Sequence, residues 1–144
     1  MQLYSFSLSL RIWHPTIDPD FITRTLGLEP KSSSMVGTPR QTPNGRPLGG
    51  VYAESYWWSD PFDRGGYLSA DQIAEDILTG LLEVLRPHKK FLLLIQAQGG
   101  RSHLEINSFS KRNYSLVLPP DLLIEIAELG LCFVHDVYPY EQNW

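Results

Sequence analysis

The chain has 144 residues, 42% of them apolar and 19% charged, which is the size and composition of one folded domain with its own core rather than of a disordered segment. Its formal net charge of −4 argues against a surface given over to nucleic acid or anionic lipid. The single cysteine, Cys132, excludes an intrachain disulfide framework or a cysteine-based zinc site, and no apolar run is long enough for a membrane-crossing helix. Residues 1–5 lack the basic and apolar regions of a signal peptide, so the expectation is one soluble, cytoplasmic domain over residues 1–144.

Tyr4, Phe6, Leu8, Leu10 and Ile12 alternate with Ser5, Ser7, Ser9 and Arg11, the pattern of a half-buried strand, which His14-Pro15 ends. Asp18-Pro19-Asp20 opens a short helix: Asp18 suits the cap, Pro19 the first helical position, and Gly27 the stop. Residues 31–50 are rich in Ser, Thr, Pro and Gly, with three basic residues and no acidic one. They read as a long loop, with a ragged hairpin turning at Asn44-Gly45 as the alternative. Val51 to Ser59 reads as an aromatic strand. Tyr52, Tyr56 and Trp58 lie on one face; Val51, Ala53, Ser55 and Trp57 lie on the other.

Ser69 and Gln72 form a capping-box pattern that predicts a helix from Ala70 to Arg86, with Ile73, Ile77, Leu81 and Leu85 as its inner stripe and Pro87 past its end. The apolar run from Phe91 to Gln98 predicts a strand covered on both faces. Gly99-Gly100 would turn it into a return strand from Ser102 to Phe109. Tyr114 to Leu118 reads as a further strand, Pro120 and Asp121 open the last helix, Leu131 to Tyr138 is the closing strand, and residues 139–144 are a polar tail. The predicted class is α+β: a mainly antiparallel sheet of five to six strands, three helices on one face, and a ferredoxin-like relative as the nearest architecture.

Several of these segments together carry a family resemblance. The early Asp-Pro-Asp-Phe-Ile helix ends in Leu26-Gly27-Leu28-Glu29-Pro30; a loop with Gly37 and the Tyr56-Trp57-Trp58 strand follow; the chain closes on Leu129-Gly130-Leu131 and Asp136-Val137-Tyr138. In these features the chain resembles a bacterial family known as domain-of-unknown-function family 4279. The resemblance implies a stand-alone bacterial domain and brings no activity, cofactor or catalytic residue with it.

The residues themselves assign no catalytic centre. There is no Gly-x-Ser-x-Gly elbow, phosphate loop or dinucleotide fingerprint, and Cys132, between Leu131 and Phe133, reads as a small buried apolar residue. No metal or cofactor is assigned. His103 and Glu105 share one strand face, and His135 would join them only if its strand lay beside theirs with the same face outward; a solvated strand face explains the first two as well. The most distinctive combination is cationic and aromatic: Lys31, Arg40 and Arg46 in the loop with Tyr56, Trp57 and Trp58 in the strand, the residue types of interface hot spots. Adjacent Trp57 and Trp58 must face opposite sides, so one of them belongs to the core. The sequence therefore points to a non-catalytic binding domain that recognises a protein partner or self-associates, with no membrane and no nucleic acid as partner. The alternative is an enzyme or ligand-binding protein for a small anionic molecule, with His103, Glu105 and His135 at its pocket.

Overall fold

The computed structural model describes residues 3–144. Its elements run β1 (Ser5–His14), α1 (Pro19–Leu26), β2 (Ser32–Ser34), β3 (Pro39–Gln41), β4 (Pro47–Val51), β5 (Ser55–Ser59) and β6 (Tyr67–Leu68). They continue with α2 (Ala74–Leu85), α3 (Lys89–Ala97), β7 (Arg101–Phe109), α4 (Pro120–Glu128) and β8 (Leu131–Tyr138). The main sheet has six strands in the order β2-β5-β1-β7-β8, with β6 pairing β1 where β5 has ended. All pairs are antiparallel except β7 with β8, which α4 connects as a parallel crossover. β2 runs parallel to β1 with β5 between them, and β7 runs parallel to β5 with β1 between them. These are two interleaved split β-α-β units, to which α4 and β8 are added.

The alternation in β1 decides which face is covered. Phe6, Leu8, Leu10 and Ile12 enter one core cluster with Trp57 of β5, Leu104 and Ile106 of β7, and the apolar sides of all four helices. α1 starts as its sequence dictates: the Asp18 side chain accepts the Asp20 N–H at 2.9 Å, and Gly27 closes the helix at φ 68°. α2 starts at Ala74 rather than Ala70. Its anticipated cap, Ser69, accepts the Tyr4 N–H at 2.9 Å instead, and the Tyr4 hydroxyl accepts the Ala74 N–H at 3.1 Å. A strand-to-helix clasp has replaced the capping box.

The structure corrects several expectations. Phe91 to Gln98 is not a strand: the chain passes from α2 through a 3-10 turn at Arg86–His88 into α3. Pro87 sits in the first turn of that short helix, where its missing N–H leaves no bond unmade. Within α3 only Leu92 and Ile95 are buried, a three-residue spacing that a run of consecutive apolar residues conceals. Gly99-Gly100 accordingly joins a helix to β7 rather than turning a hairpin. Tyr114 to Leu118 is not a strand either. β8 takes the edge of β7, and Tyr114, Leu116 and Leu118 pack on the core without a ladder.

Residues 31–50 are not one long loop. Ser32–Ser34 pairs with β5 as an edge strand, and β3 and β4 form a separate exposed hairpin whose turn closes with Gly45 at φ 86°. Val51 belongs to that hairpin, so the aromatic strand begins only at Ser55. Cys132, expected to be buried, is exposed on β8.

Candidate functional site

The odd-numbered side chains of β1 point away from the helices. The ladder registers place Tyr56 opposite Trp13 and Trp58 opposite Arg11 on one side. On the other side, Arg101, His103, Glu105 and Asn107 stand opposite Trp13, Arg11, Ser9 and Ser7. Strand alternation thus gathers cations, carboxyls and large aromatics on the outer face of the sheet.

Arg11 is the hub. Its Nε lies 3.2 Å from Glu105 Oε2 and donates to Ser9 Oγ at 3.2 Å, its Nη1 donates to the Tyr56 hydroxyl, and its guanidinium rests 4.8 Å from the Trp58 ring centroid. Burial raises the Glu105 carboxyl above its ordinary pKa, Arg11 draws it back, and the charge of Asp136 on β8 and a hydrogen bond with it raise it again. β8 thus brings a second carboxyl, Asp136, to the face on which Glu105 lies beside the fixed Arg11 guanidinium.

Trp13 anchors the far end of the face. Its ring is 5.1 Å from Tyr56 and 4.6 Å from His103, and the Arg101 guanidinium lies 4.5 Å above it. Arg101 is held by a two-bond contact with Glu54 at 3.1 and 3.2 Å. Burial, then the charges of Arg101 and Arg11, push the His103 pKa below its ordinary value, so this imidazole is neutral at pH 7. At the near end, a cleft of about 480 Å³ opens between Arg11 and Trp58 on one wall and Asp63, Arg64 and Trp144 on the other, with Lys31 bonded to Asp63 at 2.7 Å.

Of the residues expected to bind, Lys31, Tyr56 and Trp58 converge on this face and its cleft. Trp57 does not: it is fully buried on the core side, and its indole N–H donates to Thr23 Oγ1 at 3.0 Å. Arg40 and Arg46 are exposed on the β3–β4 hairpin, which leads into β5 through Glu54, the residue clamped to Arg101. His103 and Glu105 share the outer face, whereas His135 stands opposite Ile106 on the core face. β8 does neighbour β7, but the pleat separates His135 from the other two.

His135 Nε2 instead lies 2.6 Å from Ser108 Oγ, which also bonds the Tyr114 hydroxyl. A serine next to a histidine is the pairing of nucleophilic catalysis, but Ser108 is completely buried and cannot meet a substrate. Among the described residues, no three His, Cys, Asp and Glu side chains come together as a metal site needs. The residues that sequence reasoning missed include Arg11, Trp13, Arg101 and Asp136. Arg11 and Trp13 continue the Ser5-Ser7-Ser9 face of β1, so the alternation itself carried the signal for them.

The chain belongs to the family described as Domain of unknown function (DUF4279), whose family model matches residues 2–140. No curated protein and no solved structure matches the chain.

Proposed function

We propose that the chain is a non-catalytic binding domain, bacterial and cytoplasmic, that recognises a protein partner through the outer face of its sheet and the adjoining basic hairpin. The observation that carries this reading is the set of Arg11, Trp13, Tyr56, Trp58 and Arg101 side chains, held in place by one another on a sheet face that no helix covers. Large aromatics and arginines dominate interface energetics, and side chains already fixed in the free protein lose little freedom on binding. Arg40 and Arg46 add positive charge to a chain whose net charge is −4, so the complementary partner surface is acidic and its association weakens with salt. The interleaved split β-α-β units support a ferredoxin-like relationship, in which the face opposite the helices is the free one.

A specific observation favours the second reading, a site for a small anionic molecule: the cleft is lined by Arg11, Lys31 and Arg64 against Asp60 and Asp63. Two measurements separate them. Quantitative cross-linking of partners to the wild-type chain and to the Trp13→Ala, Arg40→Glu and Arg46→Glu variants should show the same partner weakened in all three. Equal recovery by all of them would sink the protein-binding reading. Thermal stabilisation by simple carboxylates or phosphates, lost in Lys31→Ala, would favour the small anion instead.

A further inference from the structure

The segment after β8 folds back over the outer face. Ser5 Oγ donates to the Gln142 carbonyl at 2.9 Å. Phe109 stacks on Tyr138 at 4.9 Å and meets Tyr140 at 5.5 Å and Trp144, edge to face, at 5.7 Å. The Trp144 indole then lies directly on Gly66, where a Cβ would stand 1.9 Å from the ring atom Cδ2. Only a residue without a side chain leaves this flat seat open.

The same segment divides two cavities. One, of about 580 Å³, is walled by Glu141, Gln142 and Asn143 against Tyr4, Phe109 and Arg112. The other is the 480 Å³ cleft, walled by Trp144. Their floors are consecutive positions of one sheet face, Ser5 in the first and Ser7 in the second. Without residues 139–144 the two would join as one groove along β1 and β7.

We propose that this groove docks an extended peptide segment of the partner protein, carrying an aromatic side chain close to an acidic one, and that residues 139–144 fill it in cis as a displaceable stand-in. The inference rests on the protein-binding reading and names the form in which the partner is presented. The occupant seen in the groove defines the chemistry it accepts. A flat ring sits on Gly66, a main-chain carbonyl meets Ser5, and Glu141 lies in the cavity that Arg112 lines, with Arg64 at the far end. Trp144 remains 54% exposed, so it is seated without being locked into the core. A short tether presents it at an effective concentration on the order of millimolar, which a partner segment must exceed to take the seat.

The test uses the full-length chain and a fluorescein-labelled heptapeptide matching residues 138–144, with binding read by anisotropy. Trp144→Ala removes the internal competitor and should bind the peptide at least ~10-fold more tightly than the wild type. Adding Gly66→Ala to that variant should abolish the gain, because the new methyl occupies the ring's seat. Far-ultraviolet circular dichroism of both variants, which reads the backbone, should match the wild type. Equal affinity in wild type and Trp144→Ala, or undiminished binding by the double variant, overturns the proposal. Either failure leaves standing a partner interaction that depends on Trp13 and Arg40, since neither residue lines the groove.

Discussion

Arg11 and Glu105 meet diagonally across β1 and β7 at 3.2 Å, with side chains only 25% and 13% exposed. The guanidinium compensates a carboxyl that burial disfavours in its ionised form and that the nearby Asp136 charge disfavours further. Removing Arg11 should therefore leave the poorly solvated Glu105 carboxyl without its cation. Arg11→Ala is expected to cost about 1–3 kcal/mol near neutral pH. The folded-state pKa of Glu105 is raised, so the folded chain holds more proton above the ordinary carboxylate range, and its stability falls as pH rises through that window. The cost of Arg11→Ala should accordingly shrink toward about pH 5, where Glu105 is protonated more readily. Urea titrations at the two pH values measure it. An equal cost at both would mean that Glu105 does not titrate between them.

The two histidines pull the other way. Burial leads the downward shift of both His103 and His135; Arg101 and Arg11 lower His103 further, while Asp136 partly offsets the shift of His135. An imidazole with a depressed folded pKa contributes stability that is present above its unfolded pKa, about 6.5, and is lost as pH falls through the folded value. The wild-type chain should lose stability on acidification below about pH 6.5, and the double variant His103→Asn with His135→Asn should lose less. Thermal midpoints recorded across this range decide it. A wild-type curve that falls no more steeply than that of the double variant would remove the histidines from the balance.

Much of this architecture was legible because strand alternation is a local code. The β1 pattern predicts both its core face and its outer face, and the outer face holds the Arg11 hub. Trp57 and Trp58 were certain to part, since adjacent side chains on a strand point opposite ways; which one is core depended on where α1 lay, and the Thr23 hydroxyl that receives the Trp57 N–H is on α1. What stayed hidden was non-local. A run of consecutive apolar residues, Phe91 to Ile95, fits a buried strand or a helix equally, and only packing under α3 selects Leu92 and Ile95. Asp136 meets Glu105 because β8 docks parallel to β7, a pairing made by a crossover rather than a turn. Ser32–Ser34 has little strand character of its own and becomes a strand because β5 offers an edge.

The β3–β4 hairpin should be the least protected strand pair in the chain. All residues of both strands are exposed, and the ladder is interrupted by an irregular register between Pro39 and Gln41. An exposed two-stranded ribbon with no apolar face against a core is marginal by itself. Amide exchange should be fastest, among the paired segments, across residues 39–51, slower at Ser32–Ser34 in the main sheet, and slowest in α2. Protection of the hairpin equal to that of α2 would show that it packs on something in solution. The binding-arm reading of Arg40 and Arg46 would then lose its support.

Gly66 and Gly100 both lie outside the left-handed region of backbone space, so neither is required for its φ, yet their substitution by alanine should differ sharply. A Cβ on Gly100 would stand 2.5 Å from the Trp13 carbonyl oxygen and 3.0 Å from that of Ile95, backbone atoms of β1 and of α3 that cannot yield without moving the sheet or the helix. Gly100→Ala should cost about 1–3 kcal/mol, the usual penalty for overpacking a tight junction. The nearest atoms to a Cβ on Gly66 all belong to the Trp144 ring, on a segment that can lift away. Gly66→Ala should change stability by no more than about 0.5 kcal/mol, since losing one seated ring is offset in part by the lower conformational freedom of alanine in the unfolded chain. Denaturant midpoints of the two variants provide the comparison, and near-ultraviolet circular dichroism should show an indole change in Gly66→Ala alone. A large loss of stability in Gly66→Ala would make Trp144 part of the folded core rather than a ring resting on its surface.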